Sequence, residues 1–186
     1  MDKIIGKSIL GGIFIAIAAN IYLKIGGIVG AIMFSIGLLG ILLLQLKLYT
    51  GVIGYVNNLT DIKNSIIILL GNFIGSMIML FYTNDIATEL VNKKISNNLG
   101  ITFLNACICG MLIYVAVEAW KKKESWIVPF AVSGFILFGA EHSIADMCFI
   151  FAANITNVTQ TCLFLITVIL GNAIGAIIIN YFTRSK

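Results

Sequence analysis

Charge is scarce in this sequence: only 11% of its 186 residues are Asp, Glu, Lys or Arg, against 60% hydrophobic. A soluble domain of this size needs far more polar surface, so a water-soluble globule is excluded. Histidine occurs once, as His142. The four cysteines (Cys107, Cys109, Cys148 and Cys162) all fall within apolar runs. The C-I-C pair is too tightly spaced for a paired metal site, so the cysteines read as small buried hydrophobes and no metal is expected. No ATP-binding motif or redox centre is visible, and no cofactor is expected. The net charge of +4 does not point to nucleic acid, because lysines and arginines cluster at the ends of apolar segments, as topology signals do.

What the chain has instead is apolar length. Hydrophobic runs occupy about 4–23, 27–56, 62–83, 99–120, 126–153 and 160–182, each long enough to cross a bilayer. Residues 1–186 therefore read as one all-α polytopic membrane domain of six spans joined by short polar connections. The N-terminal run lacks a convincing A-x-A cleavage site and is read as the first span rather than a signal peptide. With both termini in the cytoplasm, the inner side collects Lys3, Lys7, Lys63, Lys121, Lys122, Lys123, Arg184 and Lys186, and the outer side only Lys24, Lys93 and Lys94. That excess sets the expected orientation.

A repeat organises the spans. G-N-x-I-G occurs at 71–75 and again at 171–175, each time in the third span of a half. Repeat one covers about 1–83 and repeat two about 97–186. Three spans per half force the second copy to be inverted, and polar residues interrupt the second and fifth spans, "QLKLYTG" at 45–51 and "AEHSIAD" at 140–146. Inverted halves whose broken helices meet at the midplane mark a permeation pathway. The glycines themselves are expected to pack helices closely.

Irregular backbone at membrane depth is tolerated only inside protein or beside a water-filled cavity. Facing breaks would offer free N–H groups and partly positive helix ends to an anion. His142 can exchange a proton near neutral pH and is placed on the pathway. Phe135, Phe138 and His142 share a helical face that Asp146 extends, and Phe34, Leu38 and Gln45 form a comparable stripe ending at Thr50. Desolvating a bare carboxylate in such an apolar slit costs on the order of ten kcal/mol or more. Protonating it at pH 7 costs roughly 4 kcal/mol. The slit is therefore expected to pass the neutral acid.

The stretches "MFSIGLL", "LYTG", "LLGNFIGS", "FGAEHSIADM" and "VILGNAIGA" resemble, in order and spacing, the signatures of the formate/nitrite transporter family of formate, nitrite and hydrosulfide channels. The resemblance implies an aquaporin-like protomer in a homopentamer, with one pore per protomer, in a bacterial inner membrane. It implies that Thr50 faces the central His142 and that Leu48 and Tyr49 lie on the loop interrupting the second helix. Phe34, Leu38 and Phe135 match constriction residues, and Lys94, in competition with Lys93, matches a vestibule lysine that draws in the anion.

The chain departs from the family at Lys47, where an acidic residue is usual, at Asp146, where asparagine is usual, and at Glu118, an unexpected charge in the fourth span. Lys47 is expected to pair with Asp146 or Glu118, and Glu141 to brace the break by accepting from free backbone N–H groups. The function expected is passage of small monovalent anions of weak acids with protons, not enzymatic catalysis. One rival is a channel for a neutral solute, against which the N-P-A repeats of water channels are missing, Pro129 being the sole proline. The other is an intramembrane enzyme using Ser143 beside His142, disfavoured because no oxyanion-hole motif accompanies the pair. The tripeptides at 58–60, 154–156 and 157–159 fit the glycosylation pattern and are read as chance matches.

Overall fold

A computed structural model describes residues 2–184; Lys186, counted above for orientation, lies outside them. The first half consists of α1 (Asp2–Ile25), α2 (Gly27–Leu43), the single turn α3 (Tyr49–Val52) running into a 3-10 turn at Ile53–Tyr55, and α4 (Leu59–Ser76), which continues as a 3-10 turn, Met77–Tyr82. The second half consists of α6 (Leu99–Lys121), α7 (Ile127–Phe138), α8 (Ser143–Ala152) and α9 (Val158–Thr183). Between the halves lies α5 (Asp85–Ile95). The spans beginning with α1, α4, α6 and α9 are each long and apolar enough to cross a membrane. The α7 and α8 pair makes a fifth span bent by 58°, and α2 with α3 makes the corresponding broken second span. The architecture is thus all-helical, with six membrane segments of which the second and fifth are broken.

The two halves pack alike. α1 lies chiefly against α4 and α6 chiefly against α9, while α2 and α7 meet between them. Both pairs rely on the repeated glycines. A Cβ at Gly75 would fall on the carbonyl oxygen of Ile9, and one at Gly175 on that of Cys107. Each helix pair can approach this closely only where no side chain intervenes. Gly175→Ala should therefore push α6 from α9 and destabilise by about 1–3 kcal/mol, read as a lowered melting temperature in detergent.

Each break ends its first helix in the same way. The Leu46 N–H donates to Ile41 O at 2.9 Å and Gln45 N–H to Leu42 O at 3.3 Å; Ala140 N–H donates to Phe135 O at 2.9 Å and Gly139 N–H to Ile136 O at 3.1 Å. These are Schellman ends, which need a left-handed residue. Gly139 supplies it with φ 78°, and Gln45 adopts φ 53° despite its side chain. That conformation leaves Gln45 exposed, off the stripe expected with Phe34 and Leu38.

Outside the membrane segments, asparagines start the helices. Asn58, Asn84, Asn98 and Asn157 each accept from a backbone N–H in the first turn of the helix that follows. Two of the glycosylation-like tripeptides, at 58–60 and 157–159, begin at these caps. The short polar joint expected between the third and fourth spans instead folds into α5, which buries Ala87, Val91 and Ile95. It is tied to α9 by Gln160 Nε2 donating to Ile95 O at 2.8 Å. Cys107, Cys109 and Cys148 are buried as expected, but Cys162 is exposed on α9, where the helix presents it outward.

Candidate functional site

The breaks leave backbone groups without helical partners at membrane depth, and one asparagine in each half satisfies them. Asn72 Oδ1 accepts from Tyr49 N–H at 2.8 Å, and its Nδ2 donates to Ser8 O at 2.7 Å and Lys47 O at 2.8 Å. Asn172 Oδ1 accepts from Ser143 N–H at 2.8 Å, and its Nδ2 donates to Ala106 O at 2.9 Å and Glu141 O at 2.8 Å. Both are the N of G-N-x-I-G. Each ties the backbone on either side of Leu48 or His142, where the chain enters the helix after the break, to the first helix of its half. Sequence reasoning missed this role, although the signal was present: an amide repeated at the same place in two apolar helices needs partners there.

By this correspondence Lys47 matches Glu141, Leu48 matches His142 and Tyr49 matches Ser143. His142 caps α8, its Nδ1 accepting from Ala145 N–H at 3.1 Å. With Nδ1 an acceptor, the neutral imidazole carries its proton on Nε2. Nε2 lies 2.9 Å from Thr50 Oγ1, so His142 donates to Thr50 and leaves the threonine hydroxyl proton free to point elsewhere. The N–H groups of Tyr49, Ser143 and Ala145 are therefore occupied, not open to an anion as expected from the breaks.

An aromatic layer stands beside this pair. Phe135 stacks on His142 with centroids 5.6 Å apart, and Phe34 meets Phe135 edge-on at 6.2 Å. Phe34, Leu38, Leu48, Tyr49 and Phe135 are all buried. Tyr49 donates its hydroxyl to Ile169 O at 3.2 Å, which holds the ring against α9. Phe138, expected on the face of Phe135 and His142, is 60% exposed; Gly139 ends α7 one residue later, and the helical register does not carry through.

Against these side chains opens a cavity of about 270 Å³ whose lining includes Tyr22, Phe34, Phe135, His142, Lys93 and Lys94. α5 brings Lys94 over the second break. There its ammonium pairs with the Glu141 carboxylate and with Asp146 Oδ1, the latter at 3.0 Å. Burial alone would weaken the hold of Lys94 on its proton, and the Asp146 and Glu141 charges more than reverse this, so it titrates above the ordinary lysine range. Lys93 stays exposed at the rim.

These pairs correct two expectations. The partner of Asp146 is Lys94 rather than Lys47, because α5 carries Lys94 to it. Glu118 instead accepts from Tyr55 Oη at 2.6 Å and pairs with Lys121 at 2.9 Å. Glu141 likewise does not brace backbone N–H groups with its carboxylate; its carbonyl is braced by Asn172 and its side chain meets Lys94. Lys47→Met should therefore leave the melting temperature nearly unchanged. Lys94→Met, which strands two buried carboxylates, should destabilise by roughly 3–5 kcal/mol. Equal melting of the two variants would refute this assignment of partners. Ser143, weighed as a nucleophile, has a buried hydroxyl without a hydrogen-bond partner, and no group that could activate it is bonded to it.

The formate/nitrite transporter family model matches residues 1–184. Among solved structures, a pentameric formate channel with formate bound is similar at 21% identity and a TM-score of 0.87, covering 97% of this chain and 94% of that one. An ion channel described as of the FNT family is similar at 16% identity with a TM-score of 0.87, covering 99% of this chain and 90% of that one. No curated protein matches the chain. The match along nearly the whole sequence, with the fold of two such channels, establishes that the chain belongs to the formate/nitrite transporter family.

Proposed function

We propose that the chain is a passive channel for small monovalent anions of weak acids, formate, nitrite or hydrosulfide, which cross in company with a proton. The observation that carries this is one cavity whose lining brings together Lys93, Lys94, the apolar rings of Phe34 and Phe135, and His142, which shares a hydrogen bond of 2.9 Å with Thr50. The outer lysines favour the anion and the aromatic layer its neutral form. The Thr50 hydroxyl offers a hydrogen bond to whichever species arrives. The protomer works as one of five, with its exposed leucine, isoleucine and phenylalanine side chains facing lipid or neighbouring subunits, in an inner membrane with both termini cytoplasmic.

Stopped-flow uptake into proteoliposomes tests this for the three anions. Uptake should rise as the external pH falls, since each pH unit increases the neutral fraction about tenfold wherever the pH lies well above the pKa of the acid. Uptake of water or another neutral solute with no response to any of the three anions would favour a neutral-solute channel.

A further inference from the structure

Proton-linked passage, the reading just proposed, needs a group that supplies the proton, and His142 is badly placed to be it. Its Nδ1 is committed to Ala145 N–H and its Nε2 hydrogen to Thr50. Taking up a second proton would break the cap of α8.

The better candidate lies one turn further on. Glu141 and Asp146 are both buried, at 2% and 1% exposure, and share one cation, Lys94, whose side chain is 15% exposed. Asp146 Oδ1 is 3.0 Å from the ammonium. Asp146 Oδ2 is buried and has no hydrogen-bond partner. Two ionised carboxylates around one ammonium would leave a negative charge uncompensated inside the protein. A carboxylate oxygen without a donor is the least favourable place for that charge. Like charges sharing a site are relieved when one carboxyl stays protonated. The other titratable groups nearby are Lys93 and Tyr22 on the cavity wall, Cys109 from α6 and Cys148 on α8 itself. Of these Lys93 is the basic side chain, and it is exposed and makes no ion pair among the described residues.

We propose that Asp146 is the proton-holding residue of the pathway, carrying a proton on Oδ2 at neutral pH and yielding it to an anion in the adjoining cavity. The O–H bond of Asp146 breaks and an O–H bond forms on the anion, formate becoming formic acid. Asp146 is left as a carboxylate beside Lys94. The neutral acid continues past Phe34 and Phe135, and a proton from water in the cavity restores Asp146. On the far side the acid gives its proton to water, so one anion and one proton cross together.

The infrared spectrum of the reconstituted wild-type protein at pH 7 provides a test that does not depend on transport. It should contain the carbonyl stretch of a protonated carboxyl group. The band should vanish in Asp146→Asn, and also in Glu141→Gln, since either change leaves one carboxylate for one ammonium; it should persist in Glu118→Gln. In flux, Asp146→Asn installs the asparagine usual in the family and leaves bulk water as the proton source, so formate uptake should be slower than wild type at pH 7 and rise more steeply as the pH falls. Uptake should recover towards wild type at pH 5, where bulk water supplies about a hundredfold more formic acid. Absence of the band from wild type overturns the proposal, as does its persistence in both Asp146→Asn and Glu141→Gln, or an unaltered pH profile in Asp146→Asn. The band without any anion flux would leave the proton site standing and refute the transport reading instead.

Discussion

Asn172→Leu should fail to hold the second break together. The leucine has the same branched outline but leaves Ser143 N–H, Ala106 O and Glu141 O without the partners they have at 2.8–2.9 Å. Each buried backbone group left unsatisfied costs about 1–3 kcal/mol, so the loss should be roughly 3–6 kcal/mol even with some relaxation. That is a large share of the stability of any single domain. Asn72→Leu should match it, since Tyr49 N–H, Ser8 O and Lys47 O lose the corresponding bonds. Thermal melting in detergent measures both. Asn172→Asp keeps the acceptor for Ser143 but donates nothing to the two carbonyls, and should fall near the leucine variant. Near-wild-type melting of both leucine variants would show that water or rearranged backbone takes over the asparagines' bonds.

His142→Asn separates structure from transport. Asparagine is among the best N-caps, so it can accept from Ala145 N–H in place of Nδ1 and keep α8 started. It is too short to reproduce the 2.9 Å contact of Nε2 with Thr50 Oγ1, and it removes the ring on which Phe135 stacks. Melting should stay within about 1 kcal/mol of wild type, while formate uptake falls by at least about tenfold. His142→Ala loses the cap as well, and should melt about 1 kcal/mol lower than His142→Asn. Full uptake in His142→Asn would reduce the histidine to a helix cap.

The sequence revealed the parts of this fold that follow from periodicity and composition. Six apolar runs gave the spans, the repeated G-N-x-I-G gave the two halves, and clustered polar residues located both breaks to within a few residues. Facing positions for Thr50 and His142 came from the family resemblance, not from spacing. What stayed hidden depended on choices among distant partners. Lys47 and Lys94 are equally basic in the sequence, but only α5, an 11-residue helix with too little hydrophobicity to stand out among membrane spans, brings one of them to Asp146. Gln45 reads as the end of a stripe until its left-handed φ turns it outward. The asparagines were visible in the repeat and were overshadowed by the glycines flanking them. Their partners are split between a break and the first helix of the half, which no local pattern encodes.

The most direct test follows formate uptake, internal pH and membrane current together in proteoliposomes at a clamped potential. Passage of the neutral acid through the layer of Phe34 and Phe135 should deliver one proton with each formate, acidify the lumen in step with uptake and carry no net current. Formate entry that generates a steady current without acidification would mean that the bare anion crosses the aromatic layer, and would contradict proton-linked passage at its centre.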